Sequence, residues 1–266
     1  MLAKIFLKLT DYPFFRRLIW KPVYELLSKK FKVKDWSFMN YGYTPFKSEP
    51  FLILDNSEEI NRYPIQLYHY LASKINVTGV DLLEVGSGRG GGLGYIKKYL
   101  HPKKLAGVDI AFSAIKIARE QIGQGIEFIQ GSAEKLPLTD ETFDVVINIE
   151  SSHAYGSVPA FLSEVKRVLR PGGYLLCADI RTADGMETLQ QDLLASGMQL
   201  VSEEDISNNV KQAIELEEPI KQKRIRENIP GWMQEIFKEF AGVVGSKAHV
   251  QLQSGELVYK RFVLKK

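Results

Sequence analysis

A chain of 266 residues that is 45% hydrophobic and 25% charged has the composition of a globular protein with enough length for a sizeable core. Its formal net charge of +3 gives no overall basic signature of the kind nucleic acid requires, although the first 34 residues alone carry +7 and leave −4 for the rest. The single cysteine, Cys177, excludes an intrachain disulfide and fits a reducing, cytoplasmic setting, and no apolar run approaches the ~20 residues of a membrane span.

Residues 1–30 interleave basic side chains with Leu2, Ile5, Phe6, Leu9, Phe14, Phe15, Leu18, Ile19 and Trp20, and Pro13 and Pro22 divide them into short helices. Such a segment is suited either to lie peripherally on an anionic membrane surface or to pack over the domain with its lysines in water. Lys8, Asp11, Arg16 and Arg17 break up any signal-peptide core. Phe38-Met-Asn-Tyr-Gly-Tyr-Thr-Pro45 reads as an aromatic turn segment. A helix is expected from Ser57 as N-cap, divided at Pro64, with Ile65, Leu67, Tyr68, Leu71 and Ile75 forming the apolar face beyond it. His69 on this helix reads as structural.

The stretch Val80-Asp-Leu-Leu-Glu-Val-Gly-Ser-Gly-Arg-Gly-Gly-Gly-Leu-Gly94 organises the chain. An apolar run breaks into glycines and resumes in Leu93, Ile96 and Leu100 at helical spacing, the opening of a nucleotide-binding βαβ unit. Gly86 and Gly88 let the backbone turn tightly and approach a ligand without a Cβ in the way. Glu84, two residues earlier, can turn its carboxylate to a cationic or amine-bearing ligand, and Asp109, ending the next strand, is placed to accept both hydroxyls of a ribose.

Strands are expected over 80–85, 104–109, 126–130, 143–149, 173–180 and 198–203, with helices over 90–100, 112–123, 157–169 and 186–197. This alternation predicts an α/β fold with a doubly wound sheet whose ligands gather at the carboxyl ends of the strands. Gly86, Asp109, Ser132, Glu150 and Asp179 then share one rim. After Asp205 the pattern turns helical, through Ile206, Val210 and Ile214 and then Trp232, Ile236, Phe237 and Phe240, before a last strand over 256–264. His101 reads as a helix-end cap, Cys177 as a small core residue, and His249 has no assigned role. No His, Cys or carboxylate cluster has metal-ligand spacing, which disfavours a metal-dependent mechanism.

In their order and spacing, the glycine turn, Asp109, Gly131-Ser-Ala-Glu-Lys-Leu-Pro137, Phe143-Asp-Val-Val-Ile-Asn-Ile-Glu150 and Val168-Leu-Arg-Pro-Gly-Gly-Tyr-Leu-Leu176 resemble the motifs of class I S-adenosylmethionine-dependent methyltransferases. Beyond the core, Phe38-Met-Asn-Tyr-Gly-Tyr43, Leu67-Tyr-His69, Glu150-Ser-Ser-His-Ala-Tyr155 and Gln253-Ser-Gly-Glu-Leu-Val-Tyr259 are similar to the phthiotriolone/phenolphthiotriolone dimycocerosate O-methyltransferase family. The resemblance implies a Rossmann-like, mostly parallel sheet with its last strand antiparallel. It also implies an N-terminal arm and lid over 1–78, a donor-binding core over 79–204, and a helical insertion plus final strand over 205–266.

On this resemblance S-adenosylmethionine is the cofactor. Glu84, Gly86, Ser87 and Gly88 would receive its methionyl part and Asp109 its ribose, while Ile110 and Ala133 flank the adenine and Ser132 lies near its amino edge. Asn148 and Glu150 complete that set; many relatives carry Asp where this chain has Ser132. Tyr41 and Tyr43 would form the lid, and Tyr68 and Tyr155 would line the substrate side. His153 is suited to take a hydroxyl proton, with Asp179 orienting its ring, as in small-molecule O-methyltransferases such as the rebeccamycin sugar O-methyltransferase. The expected reaction is O-methylation of an apolar hydroxylated small molecule, polyketide or lipid-like. Its competitors are C-methylation of a sterol- or quinone-like acceptor, a nicotinamide-dependent oxidoreductase, and a non-catalytic nucleotide binder. Oligomeric state is not encoded in any motif.

Overall fold

Seven strands form one sheet in the computed structural model, which describes residues 36–46 and 52–266. The basic, aromatic arm expected over residues 1–30 lies outside the described residues. The strands are β1 (Asp81–Val85), β2 (Lys104–Asp109), β3 (Glu127–Gln130), β4 (Phe143–Ile149), β5 (Leu169–Thr182), β6 (Gln199–Asp205) and β7 (Leu257–Lys265). Their spatial order is β3-β2-β1-β4-β5-β7-β6. The neighbours from β3 to β5 pair in parallel, whereas β7 runs antiparallel to both β5 and β6. The chain leaves β1 towards β2 and β3, then crosses back to place β4 on its other side, so the topological switch lies between β1 and β4.

Eight α-helices among the described residues cover the sheet: α1 (Arg62–Ala72), α2 (Gly91–Leu100), α3 (Phe112–Gln121), α4 (Val158–Val168), α5 (Ala183–Ala195), α6 (Ser207–Asn228), α7 (Gly231–Ala241) and α8 (Lys247–Ser254). The side-chain period of two divides the strands between two apolar layers. Leu82, Val145, Ile147, Leu176 and Ala178 pack with α1, α2, α3 and α6 through Leu67, Leu93, Ile115 and Ile214. Leu83, Val85, Val146, Leu175 and Cys177 pack on the other face with α4 and α5 through Phe161, Val165 and Leu189. Ile225, Ile229, Met233, Phe237 and Val243 make a third, smaller cluster in the helical insertion, with Trp36 against it.

The expected doubly wound sheet and antiparallel final strand are both present, with differences at element ends. Pro64 does not divide a helix: it sits in the first turn of α1, where a missing N–H breaks no intrahelical bond. Ser57 is not its N-cap either, because a short 3₁₀ turn over Glu59–Asn61 precedes the helix and neither cap uses a side-chain hydrogen bond. β5 begins at Leu169 rather than 173, since Arg-Pro-Gly-Gly is absorbed as an irregularity of the strand: Gly172 has φ +80° and the register to β4 shifts between Phe143 and Val145. α5 starts three residues earlier than expected because Thr182 caps it, its hydroxyl accepting from Gly185 N. No described helix is long and apolar enough to cross a membrane.

β7 is wedged between β5 and β6, and Phe262 in it is fully buried. Phe262→Ala is expected to destabilise the protein by about 3–5 kcal/mol, read as a lower midpoint with unchanged slope in urea unfolding.

Candidate active site

The carboxyl ends of β1, β2, β4 and β5 each carry an acid: Glu84, Asp109, Glu150 and Asp179. Between β1 and α2 the chain turns through Gly86, Gly88 and Gly90, all at positive φ. These glycines are required for different reasons. A Cβ on Gly86 would collide with Ser151, on Gly90 with the Phe128 ring, on Gly91 with the Ser37 carbonyl, and on Gly92 with the Tyr68 ring. Only at Gly88 is there room, the nearest atom being the Met39 sulfur 3.9 Å away. Packing therefore demands most of the cluster, and Gly88 is where the backbone faces open space.

Asp109 fixes that turn, its two oxygens accepting from Gly88 N and Ala111 N, each at 2.8 Å. Burial raises its pKa and the two amides pull it back. Each oxygen keeps a second lone pair for a ligand. Glu84 is fully buried; Oε1 accepts from Tyr68 Oη at 2.6 Å while Oε2 has no hydrogen-bond partner. Burial pushes Glu84 up to about 8, the Tyr68 bond opposing and the Asp109 charge adding. The Ser87 hydroxyl is likewise buried without a partner. Two orphaned polar atoms beside an open glycine fit a ligand with an ammonium and a carboxylate end. Ile110 and Phe112, just beyond Asp109, stand exposed, Ala133 is buried, and Ser132 Oγ accepts from Glu134 N.

Asn148, expected to contact the cofactor, is fully buried and satisfied instead: its amide donates to Val85 O, Ser151 Oγ and Tyr155 Oη at 2.7–2.9 Å. It braces β1 against β4 and has no accessible surface to offer. Tyr155 belongs to this brace and Tyr68 to Glu84, so both hydroxyls bond protein groups beside the glycine turn. Tyr43 is a core residue, 3% exposed and stacked on Tyr70 at 4.2 Å.

On the other half of the rim, Glu150 adopts φ +46° and its Oε1 accepts from Tyr41 N and Tyr259 Oη, both at 2.9 Å. Burial pushes Glu150 up to about 7. It thus stands with the Tyr41 strap and the last strand, not with the donor turn. His153 lies in a 3₁₀ turn after β4, Nδ1 2.7 Å from Asp179 Oδ1. Asp179 is fully buried whereas the His153 side chain is 39% exposed. Burial opposes charge on the imidazole, but the Asp179 charge and hydrogen bond prevail and hold its pKa above the usual value. Asp179 Oδ2 accepts from Ser152 Oγ and, at 3.3 Å, from Arg181, which also donates to Ser152 Oγ at 2.8 Å.

Sequence reasoning missed Ser152, Arg181 and Tyr259 as site residues. Arg181 lies two residues beyond Asp179 on the same strand, a spacing that shares one face and was legible; Tyr259 enters through the β5–β7 pairing, which no local signal shows. His69 bonds Tyr95 and His249 approaches Glu215, both structural, and His101 ends α2 in the left-handed conformation. The segment 36–46 joins both halves: Trp36 O accepts from Arg89, Ser37 abuts Gly91, and Tyr41 N reaches Glu150.

The profile of a family described as "Methyltransferase domain" matches residues 83–177. A phthiotriol/phenolphthiotriol dimycocerosates methyltransferase of Mycobacterium leprae is 37% identical, covering 92% of this chain and 90% of that protein. A fatty-acid O-methyltransferase of Mycolicibacterium smegmatis is 40% identical, covering 73% of this chain and 71% of that protein. Among solved structures, a cyclopropane synthase from Mycobacterium tuberculosis superposes with a TM-score of 0.70 at 14% identity, covering 90% of this chain and 95% of that one.

Because Glu84 titrates near 8 when folded and near 4.5 otherwise, its contribution to stability is complete below about pH 4.5 and is lost as pH rises through 8. Glu150 acts in the same sense up to about 7. The melting temperature of ligand-free protein is expected to fall by several degrees between pH 5 and 8, and Glu84→Gln to flatten that fall, as followed by calorimetric melts across the pH series.

Proposed function

The chain belongs to the S-adenosylmethionine-dependent methyltransferases, in the family of the phthiotriol/phenolphthiotriol dimycocerosates methyltransferases, and from this premise we propose that it methylates a hydroxyl oxygen of an apolar, lipid-like small molecule with His153 as general base. The observation that carries the reading is the His153–Asp179 pair. With Nδ1 turned to a buried carboxylate, Nε2 is left towards solvent, and no hydrogen bond among the described residues occupies it. Asp179 fixes the tautomer and stabilises the imidazolium that forms.

S-adenosylmethionine supplies an electrophilic methyl group on a sulfonium sulfur. Glu84, Ser87 and the backbone from Gly86 to Gly88 are suited to its amino-acid end, and Asp109 to its ribose. Ile110 and Ala133 offer apolar faces to the adenine, with Ser132 at its edge. The acceptor oxygen would take that methyl group, and His153 Nε2 would take the hydroxyl proton released as the new bond forms. A base is needed here because a neutral alcohol becomes acidic only as the bond forms.

Functionally we divide the chain into an arm and lid over 1–78, the donor core over 79–204, and the insertion with the final strand over 205–266. Tyr41 supports the lid role, since its backbone ties the strap to Glu150 while Trp36 ties it to the glycine turn through Arg89. An acceptor taken from a lipid phase is compatible with peripheral docking of residues 1–30 on an anionic membrane, a reading that rests on their composition.

His153→Gln is expected to leave S-adenosylhomocysteine affinity intact and to lower turnover roughly 10²–10⁴-fold; full turnover on a hydroxylated lipid or polyketide would remove the base from the reading. Asp109→Ala should weaken S-adenosylhomocysteine binding by about 2–3 kcal/mol, and an unchanged calorimetric dissociation constant would displace the ribose from Asp109.

A further inference from the structure

Asp179 is bound on both oxygens by groups that differ in character. Oδ1 faces the His153 ring at 2.7 Å and also accepts from Ile180 N at 2.9 Å. Oδ2 faces Ser152 Oγ and the Arg181 guanidinium, and Arg181 clamps Ser152 as well. The carboxylate is fully buried, Ser152 is 1% exposed, and the Arg181 side chain is 16% exposed. A guanidinium held in such a place is not solvent-facing decoration, because desolvating it without a function in the site would cost free energy for little return.

The charges around His153 come from three elements. β5 contributes Asp179 and Arg181, the turn after β4 contributes Glu150, and β7 contributes the neutral Tyr259 hydroxyl, bonded to Glu150, and Lys260, which lies opposite Asp179 in register with its ammonium paired to Glu203. Among the described residues Arg181 is the one arginine or lysine paired with Asp179, so without it His153 would face two carboxylates with that offset removed. An imidazole so placed takes up a proton and keeps it, which makes it a poor acceptor for a second one.

We propose that Arg181 is a positioning residue for the acceptor base: by holding Asp179 Oδ2 directly and through Ser152, it offsets part of that carboxylate's charge and limits how tightly His153 holds a proton. The inference rests on His153 being the base only for its consequence in turnover; the electrostatic claim concerns the resting protein. The guanidinium's field acts on His153 in the opposite direction to Asp179 and Glu150, in keeping with this role.

The test is a proton NMR titration of the ring Cε1–H signals of the folded, full-length protein, without and with S-adenosylhomocysteine. The chain has four histidines, and the His153 signal is identified by its loss in His153→Gln. Arg181→Gln keeps a hydrogen-bond donor near Ser152 but removes the charge, and is expected to raise the His153 midpoint by roughly one pH unit. Arg181→Lys, which keeps the charge, should stay close to the wild-type midpoint. On an accepted substrate, the acidic limb of the kcat profile of Arg181→Gln should move up by the same amount, with activity recovered at high pH. An unshifted midpoint in Arg181→Gln overturns the proposal, as does an equal shift in Arg181→Lys, which would make the effect one of packing. Retained turnover in His153→Gln, with the NMR shift present, would instead remove the base reading and leave the electrostatic assignment standing.

Discussion

Four acidic side chains crowd the carboxyl ends of adjacent strands, and the rest of the site is arranged to make them tolerable. Removing a carboxylate from water is costly unless donors replace the lost hydration. Asp109 takes two backbone amides, Glu84 a tyrosine hydroxyl, Glu150 an amide and a hydroxyl, and Asp179 an imidazole, a hydroxyl and a guanidinium. The outcomes differ with the partner. Neutral donors leave Glu84, Asp109 and Glu150 with raised pKa values, whereas the cationic partners hold Asp179 below the ordinary range despite its deep burial. Asp179 is the one of the four held below its ordinary range, and it is the one behind His153.

The same arrangement explains the glycine cluster. A run such as Gly86-Ser-Gly-Arg-Gly-Gly-Gly92 invites the reading that every glycine makes way for a ligand. In the structure most of them make way for protein: Ser151, Phe128, Ser37 and Tyr68 each occupy the space a Cβ would take. This close packing is what brings the 36–46 strap and α1 onto the turn, and with α1 comes Tyr68 for Glu84. Gly86, Gly88 and Gly90 all use glycine's positive φ, but Gly88 alone of them also has open space where a Cβ would point.

How much of this was legible depended on whether the determining contact is local. The strand–turn–helix opening at Val80–Gly94, the apolar period of two in β1, β4 and β5, and the fall of Glu84, Asp109 and Asp179 on one rim follow from local pattern and fold rules. The His153–Asp179 approach followed as well, because β4 and β5 are neighbours in any such sheet. For Asn148, Tyr155, Tyr68 and Tyr43 the sequence did not show the protein partners: an aromatic or amide near a motif offers no local sign of which buried side chain its polar end meets. Pro64 and the Arg170-Pro-Gly-Gly173 irregularity were misplaced because a proline or glycine marks a disturbance without saying whether the element absorbs it.

Glu150 shows what lies beyond local reading. One of its oxygens receives the backbone of Tyr41 and the hydroxyl of Tyr259, residues 109 positions before it and 109 after it. The N-terminal strap and the last strand therefore meet on a single atom near the middle of the chain. Closing loops of that length costs conformational entropy that the contacts they bring together must offset. Tyr259 reaches Glu150 because the antiparallel β7 lies between β5 and β6, beyond the insertion helices in sequence. The half of the rim around Glu84 and Asp109, built from β1, β2 and the turn from β1 into α2, takes its contacts from the 36–46 strap and α1 but not from β7. The half around Glu150 draws on the strap and on β7 together, which ties its geometry to the integrity of the whole fold.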